Sequence, residues 1–372
     1  MATADQTVQE ILAIYDDQAL LPEAHTIPAP WYFDLRVAEL ERQNVFGKTW
    51  QAIARTDQLE KPGQFVTQEI AGEPVVVVRG DDNVLRAFFN VCRHHAAAVM
   101  TDPQGQVQHL RCPYHGWTYG LDGALKGITE FDGVCHFDRA QNGLVPIRVE
   151  TWEKFVFVNL DARAESLEKH LGSLPARVKP LRLGGLTFFE RRSYELKCNW
   201  KVYVDNFLDG GYHVPHLHKG LNSVLEYVNY TIENVDRFCV QSSPLKEGNE
   251  DAAASETRQG DMAHYFWFHP NFMLNWYEGY LDTNLVLPLA VDRCLVIFDF
   301  FFADAKNVDY NSKSISVSHR VQEEDVDICE AVQRGLNSRA YLAGRLSVRR
   351  EAGEHLFHRL LAADLKNHRV AS

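Results

Sequence analysis

Two short stretches set soft metal ligands at fixed spacing. "CRHH" carries Cys92 and His94 one residue apart, and "CPYHGW" carries Cys112 and His115 two residues apart. Together they read C-x-H, seventeen residues, C-x-x-H. Two thiolates and two imidazoles can bind zinc in a structural site, or hold an iron-sulfur cluster with both Cys on one iron and both His on the other. Zinc sites tend to pair Cys with Cys and His with His along the chain. Here each arm gives one of each, which suits a cluster whose two irons have different ligands.

A second ligand-rich stretch, "NWKVYVDNFLDGGYHVPHLH" at 199–218, holds three histidines and two aspartates. On a helix Asp205, Asp209 and His213 stand at i, i+4 and i+8 and share a face, where a carboxylate can orient an imidazole. Pro215 then ends or kinks the helix. His218 follows His213 by five residues and reaches the same point only through that bend, whereas His216 lies three on, so spacing leaves both open as ligands. Two histidines and a carboxylate make a facial triad with open positions on Fe(II) for dioxygen. Candidate acids lie in "RVQEEDVDICEAVQRGL" at 320–336.

Residues 265–280, "YFWFHPNFMLNWYEGY", contain eight aromatics in sixteen positions, with Glu278 the only acid and no Lys or Arg. Most of such a run packs in a core. Rings left facing a cavity attract a quaternary ammonium by cation–π contact, worth about 2 kcal/mol when desolvated, and they suit a planar aromatic ring equally well.

The quartet resembles the Rieske [2Fe-2S] signature, and the "GLDG" turn after His115 resembles the loop covering such a cluster. His95 stands where Arg commonly follows the first His. Imidazole in place of thiolate raises the potential to about −150 to +300 mV, making the cluster an electron relay fed by ferredoxin or a ferredoxin-type reductase. The 199–218 stretch is similar to the mononuclear-iron motif of Rieske non-haem iron oxygenase α subunits. That resemblance implies His213 and His218 as ligands, His216 as a bystander, and Asp325, with Glu324 second, as the third ligand. It also implies an acid bridging cluster and iron three residues before the first His, a position held here by Gly210, so Asp209 and Asp205 are the candidates. Such a bridge implies head-to-tail association, commonly a homotrimer. "VDNFLDGGYHVPHLHKGL", "NFMLNWYEGYLDTNLVLPL" and "RVQEEDVDICEAVQRGL" look like the choline monooxygenases over about residues 30–362. This implies hydroxylation of choline to betaine aldehyde hydrate with dioxygen and reduced ferredoxin, and Trp276, Tyr277 and Tyr280 as cage residues. Ring hydroxylation, or oxidation of a betaine or carnitine, is the alternative within the family.

The elements that must position these groups are legible in outline. Helical spacing covers 6–20 and 36–50. Short β-rich runs fill 51–160, with a hairpin turn at "GLDGAL", 120–125. Residues 162–185, broken by Pro and Gly, read as a link. Strands are expected near 187–197, 264–276, 284–289 and 293–302, and helices near 200–213 and 320–345. The fold class is α+β: a small all-β Rieske domain, 49–161, inserted in an α+β catalytic domain with an antiparallel sheet, formed by 1–48 and 162–372.

The net charge of −12, from 38 Lys plus Arg against 50 Asp plus Glu, disfavours nucleic acid and anionic membranes as partners. No apolar run approaches the ~20 residues of a membrane span. The amino terminus has no basic or apolar leader, which predicts a cytoplasmic protein. Seven cysteines, an odd number, fit a reducing compartment, with Cys135, Cys198, Cys239, Cys294 and Cys329 expected as buried small hydrophobes.

Overall fold

The structure is a computed structural model and describes residues 6–246 and 251–366. It divides into two units, residues 46–170 and the flanking segments up to 45 and from 171 onward.

The 46–170 unit holds a seven-stranded antiparallel sheet in the order Gln51–Arg55, Phe155–Asn159, Pro146–Trp152, Leu85–Phe89, Glu73–Arg79, Gln64–Ile70 and Gln104–Gln106. Val75 to Val78 are wholly buried, so this strand is covered on both faces, where stiff branched side chains pack well. A second sheet of three short strands, Leu110–Arg111, Thr118–Tyr119 and Leu125–Gly127, carries the expected turn. Gly123 there has φ +80°, and a Cβ would lie 2.4 Å from the Phe88 ring, so the turn requires glycine.

The unit runs past the expected boundary at 161. Trp50 Nε1 donates to the Glu165 carbonyl at 3.1 Å, and the Leu167 amide donates to Glu150 at 2.8 Å. These bonds tie the start of the supposed link to the β unit. The rest of the link is not extended: it forms the short helices Leu167–Leu171 and Leu174–Val178.

In the other unit seven antiparallel strands lie in the order Thr187–Leu196, Arg293–Phe302, Tyr280–Ala290, Phe272–Tyr277, Met262–Phe268, Phe238–Pro244 and Thr231–Val235. The single strand expected over 264–276 is a hairpin, because Pro270 has no amide to continue a ladder. Strands 231–235 and 238–244 lack an apolar alternation long enough to have been anticipated.

The helices also differ from expectation. At the amino end Val8–Ala13 replaces 6–20, while Leu35–Leu40 runs into a π-helical turn, Glu41–Phe46. The late helix starts twelve residues earlier than expected, spanning Val308–Leu336, and Ala352–Lys366 forms a last helix. Trp200–Leu208, the iron-site helix, is capped by Asn199, whose side chain accepts the Lys201 amide. It is pinned by a buried ion pair, Lys201 Nζ to Glu41 Oε1 at 2.6 Å, with Trp200 Nε1 donating to the other oxygen at 2.9 Å. Both charges are therefore satisfied where they are desolvated. Among the described residues no helix is long and apolar enough to cross a membrane.

Candidate functional site

The four ligands of the quartet sit on two loops built alike. The Cys92 amide donates to the Ala97 carbonyl, and the Cys92 carbonyl accepts from Ala96 at 3.0 Å. In the second loop the Cys112 amide donates to Trp117 and its carbonyl accepts from Gly116 at 3.1 Å. Each loop turns on a left-handed residue four after the Cys, Ala96 at φ +60° and Gly116 at φ +71°. Both thiols are buried in one core with Val76, Phe88 and Tyr119. The Tyr119 hydroxyl lies 3.4 Å from Cys92 Sγ and accepts the Arg93 amide at 2.9 Å.

The rings of His94 and His115 face each other edge-on at 4.7 Å, with His94 stacked on Trp117. His94 Nδ1 is buried without a hydrogen-bond partner, an orphan that a metal would satisfy. Two buried thiols beneath two imidazoles fit a [2Fe-2S] group. His95 is exposed, its ring 4.1 Å from that of His94, and a ring nitrogen lies within 4.8 Å of those of His94 and His115.

In the other unit His213, His218 and Asp325 bring one ligand atom each within 4.8 Å of one another. His218 Nε2 is 3.1 Å and His213 Nε2 3.9 Å from Asp325 Oδ1. Each ring is turned by a second acid, with His213 Nδ1 2.6 Å from Asp209 and His218 Nδ1 2.6 Å from Glu324. Donation from Nδ1 leaves both Nε2 lone pairs converging beside Asp325, the arrangement of a carboxylate–histidine–metal site. Burial works against a charged His218, but Asp325 and Glu324 outweigh it and raise its pKa. Glu324, second choice as ligand, lies on the far side of the ring and orients it. His216 is exposed on the opposite side of the turn.

The local backbone departs from the expected continuous helix. The helix ends at Leu208, and Gly210 and Gly211, at φ +67° and +68°, reverse the chain. Asp205 and Asp209 therefore do not stack with His213 on one face. Asp209 lies in the turn, where its oxygens accept the Tyr212 and His213 amides as well as the His213 ring. Asp205 turns the other way, accepting from Tyr32 at 2.6 Å and from His358 at 2.9 Å. Pro215 does not break the helix but opens a new one-turn helix, Val214–Leu217, a position its fixed φ suits. His213 and His218 bracket that turn. A side chain at Gly210 would place Cβ 2.0 Å from the Arg350 carbonyl, so no acid fits there.

A cavity of about 130 Å³ adjoins the triad. Tyr230, Tyr265 and Tyr277 line it, with the last two hydroxyls 2.6 Å apart. Of the three expected cage residues only Tyr277 lines it. Trp276 points to the other face of its strand, beside His264, because side chains alternate. Tyr280 is fully buried behind the wall and donates to Asp282 Oδ2 at 2.5 Å. Asp282 also accepts from Asn275 at 2.6 Å, and burial raises its pKa.

Residues not foreseen from the sequence complete the wall. The Arg258 guanidinium lies over Tyr277 and Tyr280 and donates to Ser314 and Ser318, each at 2.7 Å. Asn206 donates to Asp325 Oδ1 at 2.8 Å. Asn284 Nδ2 and Gln322 Nε2 are buried at the cavity without partners. Three consecutive polar residues, Asp282 to Asn284, inside an otherwise apolar run were the one available signal for Asp282 and Asn284.

Among the remaining cysteines, Cys198, Cys239, Cys294 and Cys329 are buried, whereas Cys135 is exposed in the loop after Gly133.

Comparison with known proteins follows the same division. Residues 49–138 match the Rieske [2Fe-2S] domain family, and 183–366 match the ring hydroxylating alpha subunit (catalytic domain) family. The chain is 37% identical over 372 residues to the chloroplastic choline monooxygenase of Arabidopsis thaliana, covering 96% of this chain and 87% of that protein. It is 33% identical over 357 residues to the carnitine monooxygenase oxygenase subunit of Escherichia coli (strain K12), covering 93% and 95%. A solved quaternary ammonium Rieske monooxygenase in complex with L-carnitine matches with TM-score 0.81 at 30% identity, over 92% of this chain and 96% of that one. Naphthalene 1,2-dioxygenase from Rhodococcus sp. shares the fold, with TM-score 0.77 at 20% identity over 92% and 95%.

Proposed function

The chain belongs to the Rieske-type non-haem iron oxygenase α subunits, related to choline and carnitine monooxygenases, and within that family we propose that it hydroxylates a small quaternary ammonium compound bearing a carboxylate. Its cofactors are a Rieske [2Fe-2S] cluster and a mononuclear iron. When bound, the iron supplies open positions at which dioxygen is reduced with electrons relayed by the cluster.

The observation that carries the substrate reading is the cavity wall beside the triad. Tyr230, Tyr265 and Tyr277 offer ring faces to a trimethylammonium head, and the Asp282 carboxyl lines the same cavity. A hydrocarbon ring would leave Asp282, Asn284 and Gln322 buried against apolar carbon, which costs free energy. The polar end of the substrate takes the free donors of Asn284 and Gln322.

Arg258 favours a carboxylate on the substrate. It lines the cavity, donates to the hydroxyls of Ser314, Ser318 and Thr257, and forms no ion pair with any described carboxylate. Betaine- and carnitine-type compounds bring such a carboxylate. Choline, which carries a hydroxyl instead, is the second reading and rests on similarity to the plant enzymes.

Cys92, His94, Cys112 and His115 hold the cluster in this reading, and His213, His218 and Asp325 hold the iron. Asp209 holds the His213 proton and is the acid that meets a cluster imidazole of a neighbouring subunit in a head-to-tail trimer. Reduced ferredoxin or a ferredoxin-type reductase supplies the electrons.

The test is oxygen uptake with reduced ferredoxin against carnitine, glycine betaine, choline and an aromatic acid, with product identification. Oxidised product from a carboxylated quaternary amine is expected. Product from the aromatic acid alone would overturn the reading.

A further inference from the structure

A second hollow, of about 190 Å³, opens among the iron-site helix, the late helix and the last helix, and three carboxylates line it: Asp205, Asp209 and Glu354. Asp205, Glu354 and His358 bring ligand atoms within 4.8 Å of one another, which raises a third metal site as a possibility. The imidazole argues against a cation. The Ile27 amide donates to His358 Nδ1 at 3.4 Å, so the ring proton sits on Nε2 and goes to Asp205 Oδ1 at 2.9 Å. A metal would need the Nε2 lone pair that this proton occupies.

Among the described residues Glu354 has no such partner. Its residue is 7% exposed, and the nearest donor, His358 Nε2, stands 3.8 Å away with its proton already committed to Asp205. Asp205 accepts two bonds, from Tyr32 and His358. A buried carboxyl beside a second acid resists ionising.

The other groups facing Glu354 strengthen this. Asp209 and Glu351 are further acids beside it, and burial keeps Tyr15 and Tyr32 neutral. Lys201, which interacts electrostatically with Asp205, is paired with Glu41. Burial first, then Asp205, Glu351 and Asp209, hold the Glu354 carboxyl well above the usual range.

We propose that Glu354 carries an exchangeable proton beside Asp205, and that this pair is the proton store for the iron side of the reaction. The location fits the need. Inserting one oxygen atom into a C–H bond and reducing the other to water consumes two electrons and two protons. Each electron reaching a buried site is neutralised by a proton. Asn206 forms part of the wall of both hollows and bonds Asp325, so the store abuts the triad through one side chain. In the step, the Glu354 O–H bond breaks, its proton passes to water in the hollow and on to reduced oxygen, and Glu354 is reprotonated from solvent.

The inference uses the oxygenase reading for its consequence, but the proton can be observed without turnover. Infrared spectra of the holoenzyme should show a protonated-carboxyl C=O stretch that shifts in D2O, is absent in E354Q and is retained in E354D. D205N removes the neighbouring acid and should move the ionisation of that band to lower pH by a unit or more. In single-turnover reactions product yield should fall as pH rises through the same ionisation in the native enzyme, and E354Q should abolish that dependence. Identical band patterns in native enzyme and E354Q would overturn the proposal, as would a divalent ion bound by the native enzyme and lost from E354Q. A band that behaves as stated without any amine oxidation would instead count against the substrate reading alone.

Discussion

Asp209 accepts the ring proton of His213 at 2.6 Å, while Asp205, four residues earlier, faces Tyr32 and His358 instead. The two acids are therefore separable. D209N should retain cluster and iron and lose about 10–100-fold in turnover, because the ring it orients is no longer held or charged correctly. D205N leaves that bond in place, so the His213 ring should stay oriented while turnover falls at lower pH than in the native enzyme, following the Glu354 ionisation. Metal analysis with steady-state kinetics separates them. Loss of iron from D209N with full activity on reconstitution would exclude the bridging role.

Glu324 acts through His218 and not on the metal. E324Q should weaken iron binding by about 10–100-fold, with the [2Fe-2S] absorbance unchanged. Because Asp325 and Glu324 raise the His218 pKa, a proton competes with iron at higher pH than it would for a free imidazole. Iron affinity should thus fall steadily on acidification, as measured by equilibrium dialysis at several pH values.

Asp282 sets the charge of the cavity wall. Its raised pKa means it is neutral below that value and ionised above it, so affinity for a quaternary ammonium should rise with pH through its ionisation. D282N should bind more weakly, by about tenfold, and lose that pH dependence. Y277L should raise KM by a similar factor through loss of about 1–2 kcal/mol of cation–π contact. Equal KM values across these variants would place the ammonium elsewhere.

The turn at Gly210 is sterically closed. G210A should destabilise the fold by about 2 kcal/mol or more, since it combines a left-handed φ with a backbone clash. Iron occupancy should fall with it, while the cluster, held in the other unit, remains.

His269 gives the protein a predictable acid sensitivity. It is fully buried, donates to Asp364 at 2.7 Å, and its pKa is pushed down to about 4, chiefly by burial and then by Arg237. The unfolded chain binds a proton near 6.5 that the folded chain refuses, so stability is lost as pH falls from about 6.5 to about 4, by about 3 kcal/mol at most. H269Q should flatten that slope in denaturant titrations at pH 5 and 7.

The cluster ligands were legible because their chemistry lies in short covalent spacing, and each loop then closes on itself. His213 and His218 were legible only through family likeness. The one-turn helix that brings them together depends on Gly210 and Gly211 adopting left-handed angles, which residue periodicity does not encode. Arg258 and Asn206 were not legible at all. Their roles arise from pairings such as Asn206 with Asp325, 119 residues apart, which the fold alone creates. The same holds for Trp276 and Tyr277, where composition marked the segment but only strand register decides which ring faces the cavity.

The late helix carries Ser318, Gln322, Glu324 and Asp325 without interruption. Three of these four also line the substrate cavity. A shift of that rod along its axis moves the iron ligand, the acid that steers His218 and the groups that grip the substrate as one piece. Occupancy of the cavity and the coordination sphere are thus geared to a single mechanical coordinate, and filling one is felt directly by the other.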